Sequence, residues 1–575
     1  IVASDCAMPD SPENNFCTLN PTRGAYGNTN PNGTLAEGNL KFSAPNQTYF
    51  YNSAGTIFPT SGKWYWEVFI VSNNNNAGIL GIVTSGGDTK EFPGWDTEGL
   101  GYGWASSDGN KIHNNTSSSY VSETARANDI AGIALDLDNG TLTFYHNNAS
   151  QGQAFSSIDS SKGWSFGSGT GYLTTFVANF GQDSSFAGNK TAQGNTDGND
   201  IGDFYYAPPS GYLALCTANL PEPTIGANSL TQADDYFNTL IYDGNDDATR
   251  TFDVGFVSDF AWFKARNAAG IGHQLYDSSR GVQKYLASNT TGAEATNTEG
   301  VTSFNSSGLL AIGNSNFLNL SGRTHVLWNW KANGGTTTTN DASSTGVGSI
   351  DSVYQANTTA GFSIVTYTGT GSAGSIAHGL GAVPKMIITK TRSHTGDWMV
   401  YHGANTSAPQ TDFLKLNATN ATEDLNTVWN DTAPTSSVFT LGSNGDVNTS
   451  GRTQVAYCFA EVEGYSKFGS YTGNGSADGT FVFTGFRPAF VMLKDIGGGE
   501  WGMFDSARNT FNVVNKLLQA NVSDAEYSGD SNRDLDFLSN GFKLRNGSAL
   551  VFNGSSRSLI YMAFAESPFK YANAR

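Results

Sequence analysis

The chain has 575 residues, a formal net charge of -19 and only 14% charged residues, whereas aromatic residues reach 12%. This length exceeds what one hydrophobic core serves, so we expect several domains, and the composition favours β-sandwiches with polar loops. The acidic balance argues against a nucleic-acid partner, because few basic groups are present to displace counterions from phosphates.

No stretch of eighteen apolar residues occurs, which predicts no membrane insertion. Residues 1–32 lack strand alternation and contain Pro9, Pro12, Pro21 and Pro31. We interpret them as an N-terminal arm that docks onto another protein. The chain begins at Ile1, which suggests either processing of a longer precursor or an N-terminus that this sequence covers only in part.

The four cysteines are Cys6, Cys17, Cys216 and Cys458. They are too few and too scattered for a disulfide framework or a zinc site, so free thiols are expected. The alternative is that Cys6 and Cys17 close a small loop. Dispersed histidines and the absence of nucleotide, hydrolase and metalloprotease motifs predict no cofactor, no metal site and no catalytic residue.

From about residue 33 to 220 the sequence alternates between strands and turns. In "GKWYWEVFI" the period of two predicts a half-buried strand with Trp64, Trp66, Val68 and Ile70 on one face and Tyr65, Glu67 and Phe69 on the other. The run "IALDLDNGTLTFY" predicts a hairpin around Asn139-Gly140, because this pair tolerates positive φ.

These segments, with the later "FVANFGQ", resemble the SPRY family in the same order. The resemblance implies a curved two-sheet β-sandwich that binds ligands through loops at one edge and has no catalytic activity. Within "GWDTEGLGYGWASSDGN" we select Trp95, Asp96 and Trp104 as candidate ligand contacts. The alternative is that these residues belong to the core.

Internal repetition organises the remainder of the chain. Tyrosines in turn-rich openings (Tyr242, Tyr367, Tyr471), lysines (Lys264, Lys390, Lys494) and arginines (Arg323, Arg452, Arg557) recur with nearly constant spacing. After each arginine, alternate positions are large and apolar. They are Val326, Trp328 and Trp330, then Val455, Tyr457 and Phe459, then Ile560, Met562 and Phe564. We interpret these nine residues as the repeated core of three related β-sandwich-like modules.

Between the lysines and arginines the repeats diverge. Asp277 to Arg280 and Asp505 to Arg508 share a pattern, whereas the second repeat has His402 to Asn405. We interpret the pattern as a turn that caps its own backbone, with a catalytic aspartate as the alternative. The window "NVVNKLLQAN" has the apolar spacing that predicts a short helix.

The repeats, with "WNDTAPTSSVFTLG" and "AFAESPFKYANAR", resemble modules from virion structural proteins of marine bacteriophages, often described as tail fibres. The resemblance implies a virion location, other virion proteins and a host-surface glycan or receptor as partners, and a homo-oligomer, with a trimer as one form. The alternatives are a virion-associated polysaccharide depolymerase and an extracellular bacterial adhesin.

The expected organisation has five parts, in a mainly β chain. They are an N-terminal arm (1–32), a SPRY-like β-sandwich (33–220), module 1 with a Gly/Thr/Ser-rich spacer (221–349), module 2 (350–464) and module 3 (465–575). The expected function is non-enzymatic adhesion to a host surface.

Overall fold

The computed structural model describes residues 14–21, 33–44, 51–73, 78–84, 92–97, 99–122, 124–170, 174–226, 231–305, 307–529, 531–546 and 552–571. The fold is mainly β. The chain separates into two compact units. The first comprises Ile1–Glu222 together with Asp478–Gly485, and the second comprises Pro223–Ala477 and Phe486–Arg575.

The first unit is a two-sheet β-sandwich. Its strands are β1 (Thr34–Ala36), β2 (Lys41–Ser43), β3 (Tyr51–Ala54), β4 (Lys63–Ser72), β5 (Gly78–Thr84), β6 (Gly101–Ala105), β7 (Lys111–His113), β8 (Thr116–Ser118), β9 (Ile130–Asp136), β10 (Thr141–His146), β11 (Ala149–Phe155), β12 (Trp164–Thr170), β13 (Thr175–Asn179) and β14 (Leu213–Ala214). One sheet has the order β1-β2-β13-β4-β9-β10-β11, with β14 parallel to β4, and the other has the order β3-β12-β5-β6-β7-β8. The predicted hairpin is the antiparallel pair β9–β10, in which Thr141 faces Asp136.

Strand β4 is buried on both faces, which differs from the half-buried strand that the sequence predicts. The second face, which carries Tyr65, is covered by Phe16 from the N-terminal segment and by Phe204 and Cys216 from the segment after β13. Phe16 forms a backbone bridge with Cys216. Residues 14–20 therefore belong to the sandwich and are not a free docking arm, whereas residues 1–13 and 22–32 lie outside the described residues.

The predicted Cys6–Cys17 pair also falls partly outside the described residues, because Cys6 is not among them. Cys17 is fully buried, and its sulfur accepts a hydrogen bond from the backbone N–H of Thr56 at 3.3 Å. Cys216 and Cys458 are buried free thiols.

The second unit contains three modules. Module 1 has β15 (Phe237–Asp243), β16 (Arg250–Asp253), β17 (Phe260–Ala265), β18 (Gln274–Asp277), β19 (Lys284–Leu286), β20 (Ala295–Thr296), β21 (Val301–Phe304), β22 (Leu309–Ile312) and β23 (Thr324–Trp330). Module 2 has β25 (Ser352–Asn357), β26 (Phe362–Thr368), β27 (Gly374–Ala377), β28 (Pro384–Thr391), β29 (Met399–His402), β30 (Asp412–Lys415), β31 (Glu423–Asp424), β32 (Val438–Leu441) and β33 (Thr453–Ala460). The spacer predicted as part of module 1 contains β24 (Thr338–Asn340), which pairs with β25 and so belongs to the module 2 sheet.

Module 3 has β34 (Ser466–Thr472), β36 (Phe486–Asp495), β37 (Trp501–Asp505), β38 (Leu518–Gln519), β39 (Leu535–Leu538), β40 (Gly541–Leu544) and β41 (Ser558–Pro568), while β35 (Phe481–Phe483) falls in the segment grouped with the first unit. The α-helices are single turns, α1 (Ala342–Thr345), α2 (Asn426–Trp429) and α3 (Gly445–Asn448). The window predicted as a helix instead contains β38, because its apolar residues Val514, Leu517 and Leu518 are buried in the module 3 sheet region.

The three modules share one strand order. The main sheet runs β15-β23-β17-β18-β19 in module 1, β26-β33-β28-β29-β30 in module 2 and β34-β41-β36-β37-β38 in module 3. A smaller sheet or hairpin packs on each: β16-β22-β21, β27-β32, and the β39–β40 pair. The sequence anchors have matching roles, since the hydroxyls of Tyr242, Tyr367 and Tyr471 donate to the carbonyls of Leu318, Val447 and Phe552 at 2.7, 2.9 and 2.7 Å.

The nine predicted core residues are each at most 2% exposed, but they do not fill three separate cores. The rings of Trp330, Phe459 and Phe564, one from each module, contact one another with centroid distances of 6.5, 5.8 and 6.1 Å. The three modules therefore form a closed ring around a shared aromatic centre. In modules 1 and 2 the opposite face of the same strands, which carries Leu327 and Cys458, packs into the core of the module.

Candidate binding surface and module interfaces

Trp104 lies in the core of the sandwich. Strand β6 is buried at every position, Trp104 is 1% exposed, and its ring centroid lies 5.5 Å from that of Phe144. A ligand at the surface cannot reach this indole. Of the three candidate contacts, Trp104 is therefore a core residue, and the alternation of "GYGWA" was compatible with either role.

Trp95 and Asp96 lie in a turn nearer the surface. Trp95 is half-buried against Ile79 and Ile112, and the Asp96 carboxylate accepts a hydrogen bond from the backbone N–H of Leu100 at 2.7 Å. The carboxylate thus fixes the turn.

A second turn lies beside the first. The backbone N–H of Asn115, between β7 and β8, donates to the carbonyl of Gly94 at 2.9 Å. Asn114 and Asn115 have φ values of 49° and 54°, and they and Thr97 are exposed. We name Trp95, Asp96, Thr97, Asn114 and Asn115 the loop surface. It combines an indole, a carboxylate, two amides and a hydroxyl, which suits a sugar or a polar peptide.

Glu67 is a buried carboxylate in the same unit. It accepts hydrogen bonds from the backbone N–H groups of Tyr205 and Tyr206 at 2.9 and 2.8 Å and from the Asn179 amide at 3.2 Å. Burial raises its pKa to about 7, against the opposing effect of these donors. Tyr205 and Tyr206 belong to the segment after β13, so Glu67 anchors that segment.

The interface between modules 1 and 2, which we call the 1–2 interface and after which the 2–3 and 3–1 interfaces are named, is an ion-pair network. Asp277 and Arg280 of module 1 pair with fully buried side chains, and Arg280 also contacts Glu294 at 3.2 Å. From module 2, Arg392 forms a bidentate pair with Glu294 at 2.9 and 3.0 Å, and the Tyr457 hydroxyl donates to Asp277 at 2.7 Å. Asp277 also accepts from the backbone N–H of Arg280 at 2.8 Å, as the predicted capping turn requires.

The 3–1 interface repeats this network with module 3 in the place of module 1. Asp505 and Arg508 pair at 2.6 Å, and Arg508 contacts Glu526 at 3.1 Å. Arg266 of module 1 binds Glu526 through two bonds of 2.9 Å, and the Trp328 indole N–H donates to Asp505 at 3.0 Å. Burial raises the pKa of Glu526, but both arginines hold it below its usual value.

The 2–3 interface uses the same positions without charge. His402 stands where the other modules have Asp277 and Asp505, and its Nε2 lies 3.1 Å from the carbonyl of Tyr561 in module 3. Thr422 replaces the glutamate, and its hydroxyl donates to Asn405 at 2.8 Å. The Thr422 backbone N–H donates to the carbonyl of Ile496, which replaces the arginine, at 2.8 Å.

Met562 explains why this interface departs from the others. It occupies the position of Tyr457 and Trp328, but a thioether has no donor for an aspartate. A buried carboxylate at position 402 would therefore lack its partner. At the 2–3 interface all five positions, those of His402, Asn405, Thr422, Ile496 and Met562, differ from the other two interfaces. Each interface of the ring therefore has either the complete charged set of residues or the complete neutral set.

One further contact between neighbouring modules recurs around the ring in the same direction. His273, Trp398 and Trp501 each contact a carbonyl of the neighbouring module, those of Gln519, Ala287 and Lys415, at 2.9, 3.0 and 2.9 Å. The buried lysines Lys264, Lys390 and Lys494 all contact carbonyl oxygens, and burial lowers the pKa of each to about 8. Among the described residues, no group of three His, Cys, Asp or Glu side chains is placed to hold a metal ion.

The architecture defines a mainly β protein with an N-terminal SPRY β-sandwich and a C-terminal unit of three modules. The SPRY family model matches residues 63–168. The family described as "Domain of unknown function (DUF7483)" matches residues 232–568, more than half of the chain, and the protein belongs to this family.

Three solved structures are similar to part of the chain. The SPRY domain of human HERC1 is 14% identical, covering 29% of this chain and 95% of that one, with a TM-score of 0.22. A human SPRY domain is 15% identical, covering 24% of this chain and 90% of that one, with a TM-score of 0.21. The TRIM65 PSpry domain is 15% identical, covering 28% of this chain and 92% of that one, with a TM-score of 0.24. In the described part of the chain, no helix has the length and apolar character that crossing a bilayer requires.

Proposed function

We propose that the protein is a non-enzymatic structural protein of a bacteriophage virion, a tail fibre or similar appendage, that adheres to a host-surface glycan or receptor. The main support for this proposal is that the two units differ in how their polar side chains are used. Asp277, Arg280, Asp505 and Arg508 of the second unit are engaged in module interfaces, so this unit serves as a rigid scaffold. The loop surface of the first unit presents polar groups at the solvent.

Adhesion through this surface gains strength from display in many copies, because weak sites act together when they are linked. The partners are other virion proteins and the host surface. The ring already satisfies its module interfaces within one chain, so contacts between copies in a homo-oligomer, including a trimer, use other surfaces. Light scattering coupled to size exclusion measures that state.

The test is binding of the purified full chain to marine bacterial cells and to their extracted surface polysaccharide, with released reducing sugar assayed in the same tubes. We expect saturable binding without sugar release. Thr97→Arg, which adds bulk to the loop surface, should weaken binding, and the matched exposed change Thr338→Arg in the second unit should not. Sugar release would instead indicate a depolymerase, and equal binding of both variants would exclude the loop surface as the contact.

A further inference from the structure

Module 3 covers the edge of its own small sheet with a segment of the connection between β37 and β38. Val514 and Leu535 exchange two backbone hydrogen bonds of 2.7 and 3.1 Å. Two residues earlier, the Asn512 side chain donates to the carbonyl of Phe537 and accepts from its N–H, both at 2.9 Å. The outer edge of β39 is thus paired from Leu535 to Phe537 by the chain itself.

Module 1 has the same edge with a shorter connection. Strand β21 pairs with β22 at the place where β39 pairs with β40, although β21 has a register shift between Val301 and Ser303. Phe304, opposite Leu310, stands where Phe537 stands opposite Phe542. The connection after β18 spans only residues 278–283, whereas that after β37 spans residues 506–517. The last residue of the shorter connection contacts β21, where the N–H of Gln283 donates to the carbonyl of Val301 at 2.8 Å.

Beyond that contact lies a cavity of about 300 Å³. Thr302, Ser303 and Phe304 of β21 form one wall, and Val282 of the short connection forms another. Within the described residues β21 ends its sheet, with β22 as its neighbour on one side. Val282 is 42% exposed although it is apolar. An edge strand beside a cavity is a template for another strand.

We propose that this cavity binds an extended, uncharged peptide segment of a partner protein, which adds to β21 as a strand. In module 3, residues 512–514 cover the equivalent edge through one backbone bridge and the side-chain amide of Asn512. The side chains that line the cavity carry no charge, and the segment that covers β39, "NTFNVVN", carries none either. Backbone hydrogen bonds supply affinity in strand addition, and side-chain pockets supply selectivity. This inference does not depend on the proposed function.

The test uses the full chain and a fluorescein-labelled peptide that copies residues Asn509–Asn515, followed by fluorescence anisotropy. Ser303→Tyr fills the cavity, and Val282→Asp places a charge at its mouth. Ile241→Asp is the matched control, because Ile241 is 48% exposed on a strand elsewhere in module 1. A second peptide carries Pro at the Val514 position, which removes the N–H that bonds in module 3.

We expect the labelled peptide to bind the unchanged protein saturably. Ser303→Tyr, Val282→Asp and the proline peptide should each lower the affinity by about tenfold or more, because a strand hydrogen bond is lost or a charge enters the cavity. Ile241→Asp should bind the peptide as the unchanged protein does. Thermal melting verifies that each variant folds, and the proline peptide tests the proposal without any variant.

Absence of saturable binding, or binding that Ser303→Tyr and the proline peptide leave unchanged, would overturn the proposal. Binding of labelled maltohexaose in place of the peptide, lost in Ser303→Tyr, would also overturn it and assign the cavity to a sugar.

Discussion

The 1–2 and 3–1 interfaces are built from ion pairs, whereas the 2–3 interface holds the same positions together without charge. In the first two, buried Asp277 and Asp505 each have an arginine and a donor from the next module. In the third, His402 contacts a carbonyl. Burying a charge is costly unless its partner is present, so the difference teaches that these positions function as complete sets.

Removing one member of a charged set should give the largest effect. Arg280→Ala leaves the fully buried Asp277 without its cation, whereas Glu294 keeps Arg392, and this should lower the free energy of unfolding by about 3–5 kcal/mol. Asn405→Ala, the matched change at the 2–3 interface, should cost about 1 kcal/mol. Urea denaturation monitored by tryptophan fluorescence measures both, and equal losses would refute the contrast between the interfaces.

A smaller effect should follow from removing only the donor across the interface. Tyr457→Phe deletes the hydroxyl that donates to Asp277 at 2.7 Å and should destabilise the protein by about 1.5–3 kcal/mol, because hydrogen bonds to charged groups are the stronger ones. Met562→Leu, the control at the equivalent position, conserves volume and should cost less than about 1.5 kcal/mol. If the leucine variant loses as much as the phenylalanine variant, packing and not the hydrogen bond determines the stability at this position.

Much of this architecture could be predicted from the sequence, because alternating apolar residues and turn residues are local signals. The three repeats, their register and the burial of residues such as Trp330 follow from spacing alone. The hairpin at Asn139-Gly140 follows from turn chemistry. The match to SPRY at residues 63–168 likewise agrees with the resemblance of "GKWYWEV" and the segments after it.

The sequence could not predict that the second face of a strand is also buried. Alternation in β4 predicts one buried face, yet Tyr65 is buried by Phe16 and Phe204, which are distant in the chain. The strands that carry Trp330, Phe459 and Phe564 are likewise buried on both faces. The alternation of residues shows which side chains are large and apolar, but it does not show whether one face or both faces of the strand are buried.

The module interfaces were hidden for a related reason. The departure of His402 and Asn405 from the pattern was visible in the sequence, but the sequence does not tell which modules meet, and Ile496 and Met562 belong to another module. Only the ring brings these residues together. Trp95 and Trp104 show the same limit at the candidate site, since identical residue types in one loop-rich stretch occupy a turn and a core strand.

The idea of complete sets can be tested by adding charges to the 2–3 interface. Ile496→Arg alone places a cation beside Thr422 and should destabilise the protein, while Thr422→Glu alone places an anion beside Asn405. The double variant recreates the pair formed by Arg392 and Glu294. A double-mutant cycle should give a favourable coupling of about 1 kcal/mol. Additive losses would show that position alone does not recreate the pair.

The smallest expected effect is a pH dependence of the stability that arises at the 2–3 interface. Burial lowers the pKa of His402 to about 4 from its usual 6.5, aided by the charge of Lys385 and opposed by the Tyr561 carbonyl. The unfolded chain therefore binds more protons than the folded chain between these values, and stability falls as the pH falls through this window.

Between pH 6.5 and 5.5 the protein should lose about 1 kcal/mol more than His402→Gln, which keeps an amide donor for the carbonyl but does not titrate. The other histidines are present in both proteins, so the difference between the two pH profiles isolates this position. Urea midpoints measured across the window supply the comparison. Superimposable profiles would mean that His402 does not take up a proton on unfolding there, and the 2–3 interface would then be no more sensitive to acid than its charged counterparts.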